Sequence, residues 1–141
     1  MKIRTFCETD TEGVVALWKR CSLTVSWNNP VKDIARKLSV QAELFIVAEQ
    51  DSRIIGSAMG GYDGHRGWLY YLAVDPDYRR QKTGTLLVQE VEKRIEGCGC
   101  PKINLMVRTT NETVCSFYKN LGYTVDDVAV LGKRFVPDTC E

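Results

Sequence analysis

The chain has 141 residues, of which 44% are hydrophobic and 26% are charged, and this is the size and composition of one globular domain with its own core. Nineteen Lys and Arg residues against eighteen Asp and Glu residues give a formal net charge of +1, which gives no support for binding to duplex nucleic acid or to an anionic membrane. The first ten residues, MKIRTFCETD, lack the apolar stretch of a signal peptide, and no apolar run approaches the ~20 residues of a membrane span. We therefore expect a single domain over residues 1–141, located in the cytoplasm.

The N-terminal part of the chain predicts one strand and two helices. Residues 2–6, KIRTF, alternate apolar and polar side chains as a strand does. Thr9 and Glu12 have the spacing of a capping box, and apolar residues at helical spacing follow them. Asn29 and Pro30 supply an N-cap and a first-turn proline for the second helix.

From residue 44 the pattern changes to three stretches that are rich in β-branched and aromatic residues. These stretches, LFIVAEQ, RIIGSAMGGY and WLYYLAVD, are separated by turn-forming residues, so they predict three consecutive antiparallel strands. The helix that follows carries Leu87, Val91 and Ile95 at every fourth position, and the glycines within residues 97–99 end it.

The last third of the chain predicts a strand at residues 102–107 and a helix that Asn111 caps and Gly122 ends. One or two further strands are predicted within residues 123–136, YTVDDVAVLGKRFV. The element order is therefore β-α-α-β-β-β-α-β-α-β-β. It predicts an α/β (α+β) domain with a mixed, mostly antiparallel sheet of six to seven strands and about four helices.

The cysteines do not predict a disulfide framework or a metal centre. They are scattered along a chain without an export signal, so we expect most of them to be free thiols. Cys98 and Cys100 form a C-x-C pair. A zinc site at this pair would need two further ligands, and the chain has one histidine, His65. The cysteines are Cys7, Cys21, Cys98, Cys100, Cys115 and Cys140.

A cationic loop, DPDYRRQKTGT at residues 75–85, joins the third of the central strands to the next helix. A strand that enters a helix aims the unpaired N–H groups and the positive end of the helix dipole at whatever lies above the turn. Arg79, Arg80 and Lys82 add three cations, and Thr83 and Gly84 allow the backbone to come close to a ligand. These features favour a pyrophosphate site, although a solvated basic turn explains the same charges.

Two segments together resemble the signatures of the GNAT superfamily of N-acyltransferases, in its small single-domain form. The cationic loop corresponds to the family's Arg/Gln-x-x-Gly-x-Gly/Ala signature, present in this chain as Arg79-x-x-Lys82-x-Gly84. The segment NETVCSFYKNLGY, residues 111–123, corresponds to the family's Asn-x-x-Ala-x-x-x-Tyr-x-x-x-Gly-Phe/Tyr pattern, with Val114 at the Ala position. The resemblance extends in element order over nearly the whole chain and implies the GNAT fold.

The resemblance implies an N-acetyltransferase that transfers the acetyl group of acetyl-coenzyme A (acetyl-CoA) to a primary amine by direct attack in a ternary complex. The alternative is a non-catalytic acyl-CoA-binding or regulatory module on the same fold. In the family, the pantetheine arm pairs with the backbone of the fourth strand, a backbone N–H near Ala73 or Val74 faces the thioester oxygen, and Tyr118 stands at the general-acid position. The implied cofactor-binding residues are Leu72, Ala73, Val74, Arg79, Arg80, Gln81, Lys82, Thr83, Gly84, Thr85, Asn111 and Tyr118.

The sequence does not identify the amine acceptor. Family members that acetylate protein N-termini carry a glutamate just before VR-x-x-N, and Met106 holds that position in this chain, which counts against that substrate class. Residues 27–29 border the acceptor pocket in the family, although Trp27 packed under a turn is an equal interpretation. The expected partners are acetyl-CoA and an amine, without nucleic acid, membrane or metal, and a homodimer is left open.

The general base is also open. Glu49, Asp63 and His65 are candidates, and so is Tyr70 working through water.

Lys82 is the main departure from the cofactor signature. If its backbone needs a positive φ, a lysine costs ~1 kcal/mol relative to glycine. We expect ordinary helical-turn geometry instead, because Gly84 remains for the closest approach. The Lys82 N–H and ammonium would then both face the pyrophosphate.

Overall fold

The computed structural model describes residues 1–138, so the predicted free thiol of Cys140 lies outside the described residues. Among these residues, no helix combines the length and the apolar character that a bilayer span requires. Short 3₁₀ helices span Glu8–Asp10, Ala42–Leu44 and Pro76–Gln81. The strands are β1 (Lys2–Thr5), β2 (Phe45–Gln50), β3 (Arg53–Tyr62), β4 (Gly67–Val74) and β5 (Ile103–Leu105), and the helices are α1 (Thr11–Arg20), α2 (Pro30–Leu38), α3 (Thr83–Gly97) and α4 (Glu112–Asn120).

The strands form one mixed sheet in the order β1-β2-β3-β4-β5. The first four strands pair antiparallel, which confirms the three consecutive antiparallel strands predicted for β2 to β4. β5 runs parallel to β4 but pairs only with residues 67–69. From Tyr70 to Val74, β4 therefore has no strand partner on its β5 side within the described residues, and a cleft opens there.

Helices cover both faces of the sheet, and β2 shows how the sequence achieves this. Its side chains alternate, so that Ile46 and Ala48 join the core beneath α3 and α4, whereas Phe45 and Val47 join the core beneath α1 and α2. All four residues are fully buried. The sheet is thus the middle layer of three, with an α3/α4 face and an α1/α2 face.

β4 contains one extra residue, which we call the Tyr71 bulge. Ser57 of β3 pairs with Ala73 and Met59 pairs with Tyr70, so two residues of β4 face one residue of β3. Tyr71 has a φ of 50°, in the left-handed region, where a residue other than glycine loses about 1 kcal/mol.

Contacts from α1 and α2 hold the Tyr71 bulge in place. The buried Ser57 hydroxyl accepts a hydrogen bond from the Trp18 indole N–H at 2.9 Å and donates one to the Tyr71 carbonyl at 3.1 Å. The Trp18 and Tyr71 rings stack with their centroids 3.9 Å apart. The Tyr71 hydroxyl donates to the Asp33 carboxylate on α2 at 2.6 Å. These contacts stabilise the left-handed backbone that the bulge requires.

The helix caps agree with the sequence at α2 and differ at α1. The Asn29 side chain accepts an N–H bond from the first turn of α2 at 3.1 Å, and Pro30 is the first helical residue, as predicted. The capping box predicted at Thr9 is wrong. The Asp10 carboxylate instead accepts the Cys7 N–H at 2.8 Å and closes a 3₁₀ turn before α1 begins.

The strands predicted within residues 123–136 are also wrong, because no strand is present there and the described sheet has five strands rather than six to seven. The segment is rich in valine, but its apolar side chains do not alternate as a strand requires. Val125, Val128 and Leu131 are 75% or more exposed. The segment therefore offers no apolar face whose burial would stabilise pairing with the sheet.

Arg134 and Asp138, at the end of the described chain, contact α2 and the connection before it. The Arg36 guanidinium on α2 donates two hydrogen bonds to the Asp138 carboxylate, one of them at 2.8 Å. Arg134 donates to the Asn28 side chain at 2.9 Å. The segment thus approaches the α1/α2 face through charged contacts.

We expect the Ser57→Ala variant to lose about 1–3 kcal/mol of unfolding free energy, because it leaves the buried Trp18 N–H without its acceptor. Urea denaturation measures this loss. Ser116→Ala is the matched control, since Ser116 is exposed and its hydroxyl makes no hydrogen bond with a described residue. The control should stay within about 0.5 kcal/mol of the parent protein. Equal stability of the two variants would contradict the role given to Ser57.

Candidate active site

A cavity of about 550 Å³ lies where the pairing of β4 and β5 stops. Tyr118 and Asn111 line it on the α3/α4 face, and Asn28 and Asp33 line it on the α1/α2 face. Leu72 of β4 forms part of the wall between these ends. This β4–β5 cavity therefore connects the two faces of the sheet.

Tyr118 contributes a buried phenol to the β4–β5 cavity. The residue is 7% exposed, and its ring packs edge-to-face against Phe117 and Tyr123. Its hydroxyl makes no hydrogen bond with a described residue. Burial raises the pKa of the Tyr118 phenol above its ordinary value of 10.0. At neutral pH this group is protonated, so it can donate a proton into the cavity.

Asn111 caps α4 and also lines the β4–β5 cavity. Its side-chain oxygen accepts the Val114 N–H at 3.2 Å. Its NH₂ group makes no hydrogen bond with a described residue and keeps two donors available. The capping role is therefore confirmed and leaves room for contact with a ligand.

The cationic loop reaches α3 through the 3₁₀ helix Pro76–Gln81, and not directly as the sequence suggested. Asp75, which is 1% exposed, fixes the start of this loop. Its carboxylate accepts the Asp77 N–H at 3.0 Å and pairs with the Arg20 guanidinium at 2.9 Å. Burial by itself raises the pKa of Asp75, but the Asp77 N–H and Arg20 hold that pKa below its ordinary value. The loop therefore leaves β4 from a buried, ionised anchor.

The first turn of α3 has the features of an anion site. No side chain caps its N–H groups, which carry the positive end of the helix dipole. Arg79, Arg80, Gln81 and Lys82 are all exposed beside it. A Cβ on Gly84 would lie 3.3 Å from the Phe117 ring, so glycine at this position lets α3 come close to α4.

The geometry expected for Lys82 is wrong. Its φ of 59° and ψ of 24° are left-handed, not those of an ordinary helical turn. The chain changes direction there, between the 3₁₀ helix that ends at Gln81 and the first residue of α3, the buried Thr83. A lysine in this conformation loses about 1 kcal/mol relative to glycine.

The candidates for the general base lie in different parts of the structure. Tyr70 lines the β4–β5 cavity, and burial, together with the charge of Asp63, raises the pKa of its phenol. Glu49 accepts hydrogen bonds from the Arg4 side chain at 2.8 and 3.0 Å, away from the cavity lining. Asp63 and His65 lie in the β3–β4 turn, where the Asp63 carboxylate accepts the His65 N–H at 2.8 Å.

Asp33 was missed by the sequence analysis although it lines the β4–β5 cavity. It lies on the inner face of α2 with the buried residues Pro30 and Ile34 and the half-buried Lys37. The sequence signal that could have identified Asp33 is the i, i+3, i+4, i+7 spacing of these four positions. This spacing places its carboxylate on the packed face of an amphipathic helix.

The cysteines of the described range, Cys7, Cys21, Cys98, Cys100 and Cys115, are free thiols. Within residues 1–138, no group of three or more His, Cys, Asp or Glu residues is arranged to hold a metal ion.

A protein-family model described as the acetyltransferase (GNAT) family matches residues 5–123. The chain belongs to the GNAT acetyltransferase family. An acetyltransferase of Sodalis glossinidius (strain morsitans) is 50% identical to this GNAT chain over 139 residues, which cover 98% of each sequence. An acetyltransferase of Yersinia pestis (strain Pestoides F) is 49% identical over 138 residues, again 98% of each sequence.

Solved structures of GNAT proteins share the fold. Ard1 from Thermoplasma volcanium superimposes with a TM-score of 0.77 at 26% identity, covering 89% of this chain and 83% of Ard1. The PaiA N-acetyltransferase of Thermoplasma acidophilum, solved in complex with coenzyme A, gives a TM-score of 0.71 at 22% identity and covers 91% of this chain and 92% of PaiA. The predicted family, the GNAT fold and the acyltransferase class are confirmed.

We expect the Lys82→Gly variant of this GNAT enzyme to gain about 1 kcal/mol of unfolding free energy, because glycine adopts the left-handed backbone without a Cβ clash. Lys93→Gly is the control, since Lys93 is an exposed lysine within α3 and its replacement should lose about 1 kcal/mol. Urea denaturation of both variants measures whether the unfolding free energy rises in Lys82→Gly and falls in Lys93→Gly. A loss of stability in Lys82→Gly would be incompatible with the left-handed geometry.

Proposed function

We propose that this GNAT enzyme transfers the acetyl group of acetyl-CoA to a primary amine by direct attack in a ternary complex. The observation that carries the proposal is the β4–β5 cavity, in which the protonated phenol of Tyr118 lies on the wall of an opening through the sheet. The N-terminus of α3, which no side chain caps, follows β4 by way of the 3₁₀ helix Pro76–Gln81 and has exposed cations beside it.

The residues of the cationic loop fit the pyrophosphate of coenzyme A. The free N–H groups at residues 83–85 suit phosphate oxygens, and the exposed side chains of residues 79–82 add charge and donors. The Arg79 side chain also donates to the Val74 carbonyl at 3.3 Å, which keeps its guanidinium near the end of β4. PaiA, which has the same fold, was solved in complex with coenzyme A, so the fold can hold this ligand.

The open side of β4 fits the pantetheine arm. Within the described chain, no strand pairs with residues 72–74 on their β5 side, so main-chain groups there can bind an extended ligand as a sheet edge binds an added strand. An N–H at Ala73 or Val74 would then face the thioester oxygen, and the loss of such a donor typically costs ~3 kcal/mol in transition-state free energy.

The transfer breaks the thioester C–S bond and forms an amide bond. The attacking nitrogen must lose a proton and the departing thiolate must gain one. In the proposal, Tyr118 gives the proton to the thiolate. The proton of the amine passes to water in the cavity, and the Tyr70 phenol, which lines the cavity and is protonated at neutral pH, can only relay that proton between waters.

We expect the Tyr118→Phe variant to lower kcat by at least ~100-fold, because it removes the proton donor and keeps the ring. The KM for acetyl-CoA should change by less than about threefold, since the ring still fills the wall. Thiol release with a panel of amines and peptide N-termini measures both constants. Tyr62→Phe is the control, because the Tyr62 hydroxyl bonds to Gly64 in the β3–β4 turn, outside the cavity lining.

An unchanged kcat in Tyr118→Phe would remove Tyr118 from the mechanism. Calorimetry with acetyl-CoA tests the binding step separately. Binding without turnover of any amine would favour an acyl-CoA-binding module over the proposed transfer reaction.

A further inference from the structure

The two ends of the β4–β5 cavity differ in what surrounds them. Apart from the open edge of β4, the proposed cofactor contacts belong to the cationic loop, α3 and α4, and these helices cover one face of the sheet. The other end opens among α2 and the connection before it, where Asn28 and Asp33 line the cavity. With coenzyme A on the α3/α4 side, an acceptor reaches the thioester from the α1/α2 side.

Asp33 gives this acceptor end its negative charge. It supplies the one carboxylate among the described residues that line the cavity, and its side chain is 25% exposed. The wall around it includes Leu23, Met59 and Tyr71 together with Asn28, so the surroundings of the carboxylate are mainly apolar and aromatic. In such surroundings a carboxylate attracts an ammonium group more strongly than it does in bulk water.

The structure holds the Asp33 carboxylate in position and leaves part of it free to accept hydrogen bonds. One oxygen accepts the Tyr71 hydroxyl at 2.6 Å, and the Tyr71 bulge fixes that hydroxyl. The other oxygen lies 3.5 Å from the Arg36 guanidinium, which is bound more closely to Asp138. A carboxylate accepts about four hydrogen bonds, so capacity remains for a ligand N–H.

We propose that the Asp33 carboxylate binds the ammonium group of the acceptor on the α1/α2 side of the β4–β5 cavity, before that group loses the proton that blocks its attack on the thioester. The proposal deepens the proposed function, on which it rests, by naming the residue that selects a cationic acceptor. Tyr71 is a positioning residue in it, because its hydroxyl orients the carboxylate.

A purely structural role for Asp33 makes different predictions. If its carboxylate only anchors α2 to β4, Tyr71→Phe removes that contact and disturbs the site at least as much as Asp33→Asn, in which the amide oxygen still accepts the Tyr71 hydroxyl. If it binds the ammonium group, only Asp33→Asn removes the charge that the ligand needs.

The test uses n-butylammonium and n-butanol, which differ chiefly in charge, as probes of the whole protein. Each is titrated into the free and the CoA-saturated protein while NMR follows the backbone amides of Asp33 and Tyr71. We expect n-butylammonium to bind at least about fivefold more tightly than n-butanol, in keeping with one weak charged contact. Asp33→Asn should bring the ratio of the two affinities close to one, whereas Tyr71→Phe should retain most of the preference for n-butylammonium.

Arg108→Gln is the matched control, because it also changes one charge on the cavity wall. It should leave the preference for n-butylammonium intact. For any amine that the enzyme turns over, Asp33→Asn should raise the KM of that amine at least about fivefold while the KM of acetyl-CoA stays constant.

Equal binding of the two probes to the parent protein would overturn the proposal. The proposal would also fail if n-butylammonium shifted neither the Asp33 nor the Tyr71 amide. It would fail as well if Asp33→Asn and Tyr71→Phe lost the preference for n-butylammonium to the same extent. Failure of the protein to bind acetyl-CoA in calorimetry would contradict the proposed function instead, and the probe titrations of the free protein would still decide the role of Asp33.

Discussion

The extra residue in β4 is the constraint on which the rest of the site depends. A regular β4 could continue its pairing with β5 beyond Leu69, whereas the observed pairing stops there and the cavity begins. The left-handed backbone of Tyr71 is unfavourable in isolation, and its contacts with Trp18, Ser57 and Asp33 offset that cost. The packing of α1 and α2 thereby maintains the opening through which the two substrates would meet.

The same opening separates two kinds of chemistry. On the α3/α4 face, the Tyr118 phenol is protonated at neutral pH, so in the proposed reaction it can give a proton to a basic leaving group. On the α1/α2 face, Asp33 supplies a fixed negative charge to a mainly apolar and aromatic wall. One cavity thus offers a proton donor towards the proposed thioester and a carboxylate towards the proposed amine.

The sequence was sufficient for the family, the order of the first nine elements and the position of Tyr118, because these rest on hydrophobic periodicity and on residue spacing within motifs. It was insufficient where backbone conformation decides the outcome. Nothing in WLYYLAVD marks the bulge, since the aromatic and β-branched pattern of a strand is the same with or without an extra residue. The left-handed Lys82 depends on the angle between two helical segments, which sequence does not encode locally. The valine-rich C-terminal segment shows that strand propensity without a face to bury does not produce a strand.

Hydrogen–deuterium exchange of the full chain with and without saturating acetyl-CoA tests most directly whether the β4–β5 cleft and the start of α3 form the cofactor site. The proposed binding mode gives slower exchange of the amides at residues 72–74 and 83–85, which would donate to the pantetheine arm and the pyrophosphate. The amides of residues 45–47 in β2, which β3 separates from β4, should be unchanged. If calorimetry shows that acetyl-CoA is bound and the amides at residues 72–74 and 83–85 do not exchange more slowly, the proposed binding mode is contradicted.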